Sequence, residues 1–361
     1  MADCLYRLII TMTTDNHDSL APAQIAERAD LYYVSDSEPG YRRKRWGRGF
    51  TYLDKNGNHI TGKKKRQRLE ALAIPPAWTD VWICALPNGH IQATGRDEKG
   101  RKQYIYHPDW EEVRDQVKFE RLRDFGEALP HLRVQVRNDL RSRKLSQPKV
   151  TALVVHLLDE THLRIGNATY AEVNGSYGLT TLQDDHTIVS GNCVTFHFPG
   201  KSGKDQEFTL QNRRLASLVQ QCLELPGQHL FQYIAEEEEE PQSITAIDVN
   251  NYIQTHMGQD FTAKEFRTWG ATVAAASKLA ALDVPESAQM TKKNLITAVK
   301  HAAQVLGNTP AICRQYYIHP VIAEAYASGE LARVVKEVQR GKIKCEEELS
   351  EIETAVLVLL P

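Results

Sequence analysis

The 361 residues, 42% hydrophobic and 25% charged, are those of a globular chain with material for two or three domains. No apolar run approaches the roughly 18 residues of a membrane span, and the stretch 5–10, broken by Arg7, is too short for a convincing signal peptide. Net charge is −2, and six cysteines stand apart with no CxxC pair, which argues against a zinc site or a disulfide framework and for a reducing cytosol.

Charge is unevenly spread. Residues 41–105 hold fifteen basic and five acidic side chains, a balance of +10. The compensating acid is gathered in the run 236–240 and around Glu346 to Glu353. A basic front half with the acid kept apart is the distribution of a phosphate-tracking face, although a solvated charged surface would read the same.

In chain order, 1–35 reads as a mobile leader with one short helix around 23–29. The segment from Tyr41 interleaves Arg with aromatics. Gly57-Asn58 predicts the turn of a hairpin between 50–53 and 59–60. A basic helix over 63–72 stops at Pro75-Pro76. Strands are expected at 78–86 and 90–94 around Pro87-Asn88-Gly89. A glycine-bearing loop from Gly95 then leads into Arg101, Lys102, Gln103, Tyr104, Ile105 and Tyr106, a strand of alternating aromatics. Such a strand can grip a phosphate backbone and read base edges in a groove, or be a plain amphipathic edge.

From about residue 113 the pattern turns helical. Helices are expected at 113–126 and 129–143, joined around Pro130, and from Ser146 to a helix end at Leu163-Arg164-Ile165-Gly166. Short strands follow at 179–182, 187–190, 193–198 and 207–210, with a tight turn at Pro199-Gly200-Lys201-Ser202-Gly203-Lys204. Helices return at 213–223, 246–256 and 262–282, the last with a capping box of Thr262 and Glu265. The acidic run 236–240 reads as an exposed loop. A helix over 291–306 is closed by Gly307, and Thr309-Pro310 opens a new one. Pro320 limits it, leaving Tyr317 near its end, then 321–326 and a C-terminal helix follow.

Four features line up. Arg164 ends an apolar helix, Lys201 sits on a hairpin tip, Lys264 and Arg267 are spaced i and i+3 on one helix, and Tyr317 is on a late helix. Singly, each is an ordinary surface charge, helix-end charge or half-buried aromatic. Jointly they are the parts for phosphodiester transesterification by tyrosine. A phenol of pKa ~10 is a weak nucleophile at neutral pH. It needs cations around the pentavalent phosphorane and an acid for the departing sugar oxygen. Arg suits the first role and Lys the second.

These residues resemble the motifs of the type IB DNA topoisomerases, in the compact branch shared by poxviruses and bacteria. Leu163-Arg164-Ile165-Gly166 with Tyr170 is similar to the first catalytic arginine motif. Phe198-Pro199-Gly200-Lys201, with Lys204 on the same turn, is similar to the lysine hairpin. Lys264-Glu265-Phe266-Arg267-Thr268-Trp269-Gly270 is similar to the second arginine motif, and 307–320 to the nucleophile segment with Tyr317, not Tyr316, attacking. The strand Arg101 to Tyr106 is similar to the family's DNA-contacting strand. Asn308 stands where the poxvirus pattern has a fifth catalytic residue, a histidine; bacterial members resemble this chain there. An amide can donate a hydrogen bond but carries no proton or charge.

The resemblance implies an α+β fold, with a small β-rich N-terminal domain over 36–112 and a larger mainly helical catalytic domain over 113–361 holding a small sheet near 178–210. The pair would close as a C-shaped, monomeric clamp on double-stranded DNA. It implies a bacterial, cytoplasmic, nucleoid-associated enzyme relaxing positive and negative supercoils through a 3′-phosphotyrosyl link, with no ATP, metal or other cofactor. The absence of a GxxxxGK[ST] loop agrees. Two alternatives stay open: a tyrosine recombinase, which typically has His in place of Lys264, and a non-catalytic DNA-binding protein on the same fold.

Overall fold

A computed structural model describes residues 21–235, 240–282 and 284–361, apart from the side chain of Ser202. The first twenty residues of the expected leader, and 236–239 of the acidic run, lie outside the described residues. The described residues divide into two compact units, one up to Glu120 and one from Arg121 onward.

The first unit begins with α1 (Pro22–Arg28), then β1 (Tyr41–Trp46), β2 (Gly49–Leu53), α2 (Lys63–Ala71), β3 (Thr79–Ile83), β4 (Ile91–Arg96), β5 (Lys102–Tyr106) and α3 (Pro108–Glu120). Its five strands form one antiparallel sheet in the order β2-β1-β3-β4-β5, so β5 is an edge. Tyr52, Ile60, Leu69, Val81, Ile83 and Ala93 make its core. The expected turn at Gly57-Asn58 forms, with the Ile60 N–H on the Tyr52 carbonyl at 2.9 Å, and a further hairpin precedes it. β2 pairs with β1 across Gly47, whose φ of +56° suits glycine, whereas His59 makes only a single bridge to Leu53. The Arg43 guanidinium lies over the Phe50 ring, 4.1 Å from its centroid, and supports that pairing.

The second unit runs through α4 (Leu122–Asp139), α5 (Gln147–Thr161), α6 (Ala168–Asn174), β6 (Thr187–Ser190), β7 (Cys193–Pro199), β8 (Asp205–Gln211) and α7 (Arg213–Leu223). The short strands β9 (Gln232–Tyr233) and β10 (Gln242–Ser243) precede α8 (Ala246–Met257), α9 (Ala263–Ala280), α10 (Ala288–Leu306), α11 (Pro310–Tyr316), α12 (Pro320–Ser328), α13 (Glu330–Gln339) and α14 (Glu351–Leu359). A β-rich N-terminal unit followed by a mainly helical one is the expected fold class.

Three elements differ from expectation. Pro130 lies inside α4, and the break falls at Arg121 instead. The buried stripe Phe125, Leu129, Leu132 and Val136 carries that helix past the N–H that proline lacks. Residues Leu179–Thr181 form a 3-10 turn, not a strand, tied by the Thr180 N–H to the Ile165 carbonyl. The C-terminal helix is two, α13 and α14, separated by a turn containing Gly341 at φ +67°.

The second unit's core centres on α9. Phe266 and Trp269 pack on Phe125, with ring centroids 5.0 and 6.1 Å away. Trp269 Nε1 donates to Glu353 on α14 at 3.1 Å. Arg133 on α4 forks onto Asp159 of α5 at 2.7 Å and onto Glu353 at 2.7 Å. Burial alone would raise the Glu353 carboxyl, but the hydrogen bonds and charge of Arg133 win and hold it down at about 2. This network braces α9, the helix that carries Arg267.

Candidate active site

Helix α5 stops short of Arg164. His162 caps it in the left-handed conformation, φ 52°, with its N–H on the Leu158 carbonyl. The expected helix end at Arg164 is therefore two residues of extended chain beyond the cap, which turns the guanidinium back towards the late helices. Gly178 is required here, since a Cβ on it would lie 2.5 Å from the Arg164 carbonyl oxygen. Arg164 Nη2 donates to the amide oxygen of Asn308 at 2.9 Å, joining positions 144 residues apart. Burial lowers the pKa of this guanidinium, and the neighbouring Tyr317 opposes that shift.

Arg267, only 5% exposed, sits in the first turns of α9. The expected Thr262–Glu265 capping box is formed: Thr262 N–H donates to the Glu265 carboxylate at 2.8 Å. One nitrogen of the Arg267 fork donates to the His162 carbonyl and the other to the Leu306 carbonyl at 3.0 Å. Its guanidinium carbon lies 5.4 Å from the Tyr317 ring centroid. Burial, then the like charge of Arg164, push the Arg267 pKa down. Lys264, three residues earlier, is exposed on the helix surface, so the pair does not share one environment.

Gly307 closes α10 at φ 62°, and Thr309 caps α11 ahead of Pro310. Tyr317 is the C-cap of α11, at φ −130°. The Thr272 hydroxyl of α9 lies 3.2 Å from the Tyr317 carbonyl oxygen and accepts the His319 N–H at 3.1 Å. His319, extended before Pro320, caps α12 through its ring nitrogen, and burial holds it neutral with a pKa of about 4.

The result is an unusual charge environment. Arg164 and Arg267 have no carboxylate partner among the described residues, and the Asn308 side-chain N–H₂ is buried without a hydrogen-bond acceptor. Two desolvated guanidiniums and an unspent donor beside one phenol form a hole for an anion, because buried charge is costly until it is paired. Arg164, Arg267, Asn308 and Tyr317 are thus brought together. Lys201 stands on the exposed tip between β7 and β8, within a single 3-10 turn of Lys201–Gly203, with Lys204 also exposed. Tyr170 is on α6, 54% exposed.

The remaining predicted contacts are in the first unit. On β5, Lys102 pairs with Asp36 at 2.6 Å and lies over the Tyr104 ring, which stacks on Tyr106 with centroids 5.8 Å apart. Arg101 and Gln103 both reach Asp97, at 2.7 and 3.0 Å, and Arg101 holds that carboxyl down at about 2. Sequence reading misses the acceptors that orient Arg267 and the Thr272 hydroxyl. Both act through the backbone, and no side-chain pattern announces them.

Comparison with known proteins shows the family. The family described as "Eukaryotic DNA topoisomerase I, catalytic core" matches residues 107–345, and "Bacterial DNA topoisomerase IB, N-terminal domain" matches 49–97. The chain is 34% identical over 293 residues to a DNA topoisomerase 1B of Acanthamoeba polyphaga mimivirus, covering 80% of this chain and 87% of that one. It is 25% identical over 274 residues to the DNA topoisomerase 1B of Vaccinia virus (strain Copenhagen), covering 71% and 80%. A DNA topoisomerase 1 of rabbit fibroma virus is 24% identical over 290 residues, covering 75% and 84%.

Proposed function

The chain belongs to the type IB DNA topoisomerases, and from that premise we propose that Tyr317 is its nucleophile, served by Arg164, Lys201, Arg267 and Asn308. The observation that carries this assignment is the buried Arg267 beside the Tyr317 ring and the half-buried Arg164 on Asn308, neither with an acid among the described residues. The Tyr317 hydroxyl oxygen attacks a backbone phosphorus, and the bond from phosphorus to the 5′-oxygen breaks. Arg164 and Arg267 meet the charge that develops on the non-bridging oxygens, and the Asn308 N–H₂ adds one donor. Lys201 gives a proton to the leaving 5′-oxygen. The free end rotates, supercoils of either sign relax, and the 5′-hydroxyl reverses the link. The phosphotyrosyl ester retains the bond energy, so no nucleotide is consumed. The three cations supply the positive charge that divalent ions bring to other phosphoryl-transfer sites.

Arg101, Lys102, Gln103, Tyr104 and Tyr106 on β5, with Tyr170, Lys204 and Lys264, are proposed as contacts to duplex DNA. In this reading a monomer acts as a clamp on the duplex, with a leader of 1–35 and domains over 36–112 and 113–361. The match to a bacterial N-terminal domain family supports work on nucleoid DNA in a bacterial cytoplasm. The deciding experiment is relaxation of positively and negatively supercoiled plasmid in EDTA without ATP. Both should relax; a strict need for magnesium or ATP would refute the mechanism.

A further inference from the structure

The Lys201 tip is exposed, yet a proton donor must meet one oxygen atom. Something has to set where the tip stands. The hairpin closes through the Gly200 N–H on the Lys204 carbonyl at 2.8 Å and the Gly203 N–H on the Gly200 carbonyl at 3.0 Å. One residue past the turn, β8 places Gln206 opposite Phe198.

The Gln206 side chain lies flat across two glycines from distant parts of the chain. A Cβ on Gly200 would come within 2.7 Å of Gln206 Cγ, and a Cβ on Gly307 within 2.7 Å of Gln206 Oε1. The amide end is fixed by Nε2 donating to the Asp205 carbonyl at 3.0 Å. Gly307 is the residue before Asn308, whose amide oxygen holds Arg164. The side chain therefore spans from the root of the lysine turn to the turn that carries Asn308. Glycine at both 200 and 307 leaves the room for it. At Gly307 this is a second requirement, beyond the left-handed φ of 62°.

We propose that Gln206 is a positioning residue that seats the Lys201 hairpin against the Gly307–Asn308 turn, so that the lysine meets the leaving oxygen. The inference rests on the reading of Lys201 as the proton donor. Gln206 touches neither the phosphate nor Tyr317 in this role; it acts through Lys201 alone.

That gives its loss a signature that general loosening would not produce. A 5′-bridging phosphorothiolate replaces the leaving oxygen by sulfur, which departs without a proton. Single-turnover cleavage of normal and sulfur-bridged duplexes would be compared for wild type, Gln206→Ala, Lys201→Ala and the double variant. Gln206→Ala should slow cleavage of normal DNA roughly 10- to 100-fold, the scale of an ångström-sized misplacement of a catalytic group. Its DNA affinity should be unchanged. On the sulfur substrate it should return to the wild-type rate, as Lys201→Ala should. The double variant should be no slower than Lys201→Ala, since both remove one function. A Gln206→Ala variant with the wild-type rate on normal DNA overturns the proposal. So does a defect that survives sulfur while that of Lys201→Ala is relieved. If Lys201→Ala gains nothing from sulfur, the proton-donor reading falls, and the role of Gln206 with it.

Discussion

Asn308 offers the sharpest test of how the anion hole is built. Its amide oxygen is engaged by Arg164 at 2.9 Å, which fixes the opposite end, a buried N–H₂ with no acceptor among the described residues. Asn308→Ala removes that donor and releases one arm of Arg164. Loss of one oxyanion donor costs roughly 10²–10³ in rate, about 2.7–4 kcal/mol of transition-state stabilisation. Asn308→Asp keeps the oxygen and the shape but turns the donor into a second acceptor. It also pairs with Arg164, cancelling one of the two uncompensated charges. A carboxylate about 4 Å from the phosphate would add repulsion on the order of 4 kcal/mol at an effective dielectric constant of 20, part of it offset by Arg164. The aspartate should therefore cleave more slowly than the alanine, although it is closer to wild type in size. The assay is single-turnover formation of the covalent adduct on a suicide duplex, with DNA affinity measured separately. An aspartate variant faster than the alanine variant, or an alanine variant indistinguishable from wild type, would refute the assignment of Asn308 as a donor held by Arg164.

Tyr317→Phe should abolish the covalent adduct while Tyr316→Phe largely retains it, because Arg267 faces the Tyr317 ring; peptide mass spectrometry of the adduct decides between them. Replacing Arg101 and Lys102 by Ala should weaken DNA binding and flatten its dependence on salt, read as the slope of log affinity against log salt. The effect should be muted, since each cation already has an acid, Asp97 or Asp36, that must release it. Stability should fall in acid through Glu353. Its folded pKa, about 2, is below the unfolded value of about 4.3, so its contribution is complete above the unfolded value and is lost as pH falls through the folded one. The gap is worth about 3 kcal/mol near neutral pH, at 1.36 kcal/mol per unit. The stability difference between wild type and Glu353→Gln in thermal melts should shrink steadily from pH 5 to pH 2.

The class of fold and the site segments are legible in this sequence because each is a short run with strong local chemistry. Thr309-Pro310 and Pro320 punctuate α11 as expected, and Thr262 with Glu265 opens α9. What escapes is set by tertiary contact. Nothing local says that α5 stops at Thr161, because a histidine in the left-handed conformation is uncommon, and it is accepted here where its carbonyl meets Arg267. Pro130 normally divides helices, and only the buried face of α4 explains why it does not. The β1–β2 pairing hides behind the four cations of β1, since a strand so rich in arginine and lysine lacks the apolar alternation that marks a half-buried strand.

The Thr272 hydroxyl gains a meaning once the DNA is attached. In the proposed reaction, the duplex downstream of the break turns after cleavage while the other side hangs from a single ester on Tyr317. Drag on the rotating DNA reaches the protein as a twisting load at that residue. Thr272 fastens the main chain just past the joint to the middle of α9, its hydroxyl donating to the Thr268 carbonyl at 2.8 Å and accepting the His319 N–H at 3.1 Å. Helix α9 is in turn braced through Trp269, Glu353 and Arg133 to α14, α4 and α5. On that reading the load path runs from the ester into the buried core of the second unit, and a joint that does not yield keeps the phosphorus in place for the returning hydroxyl.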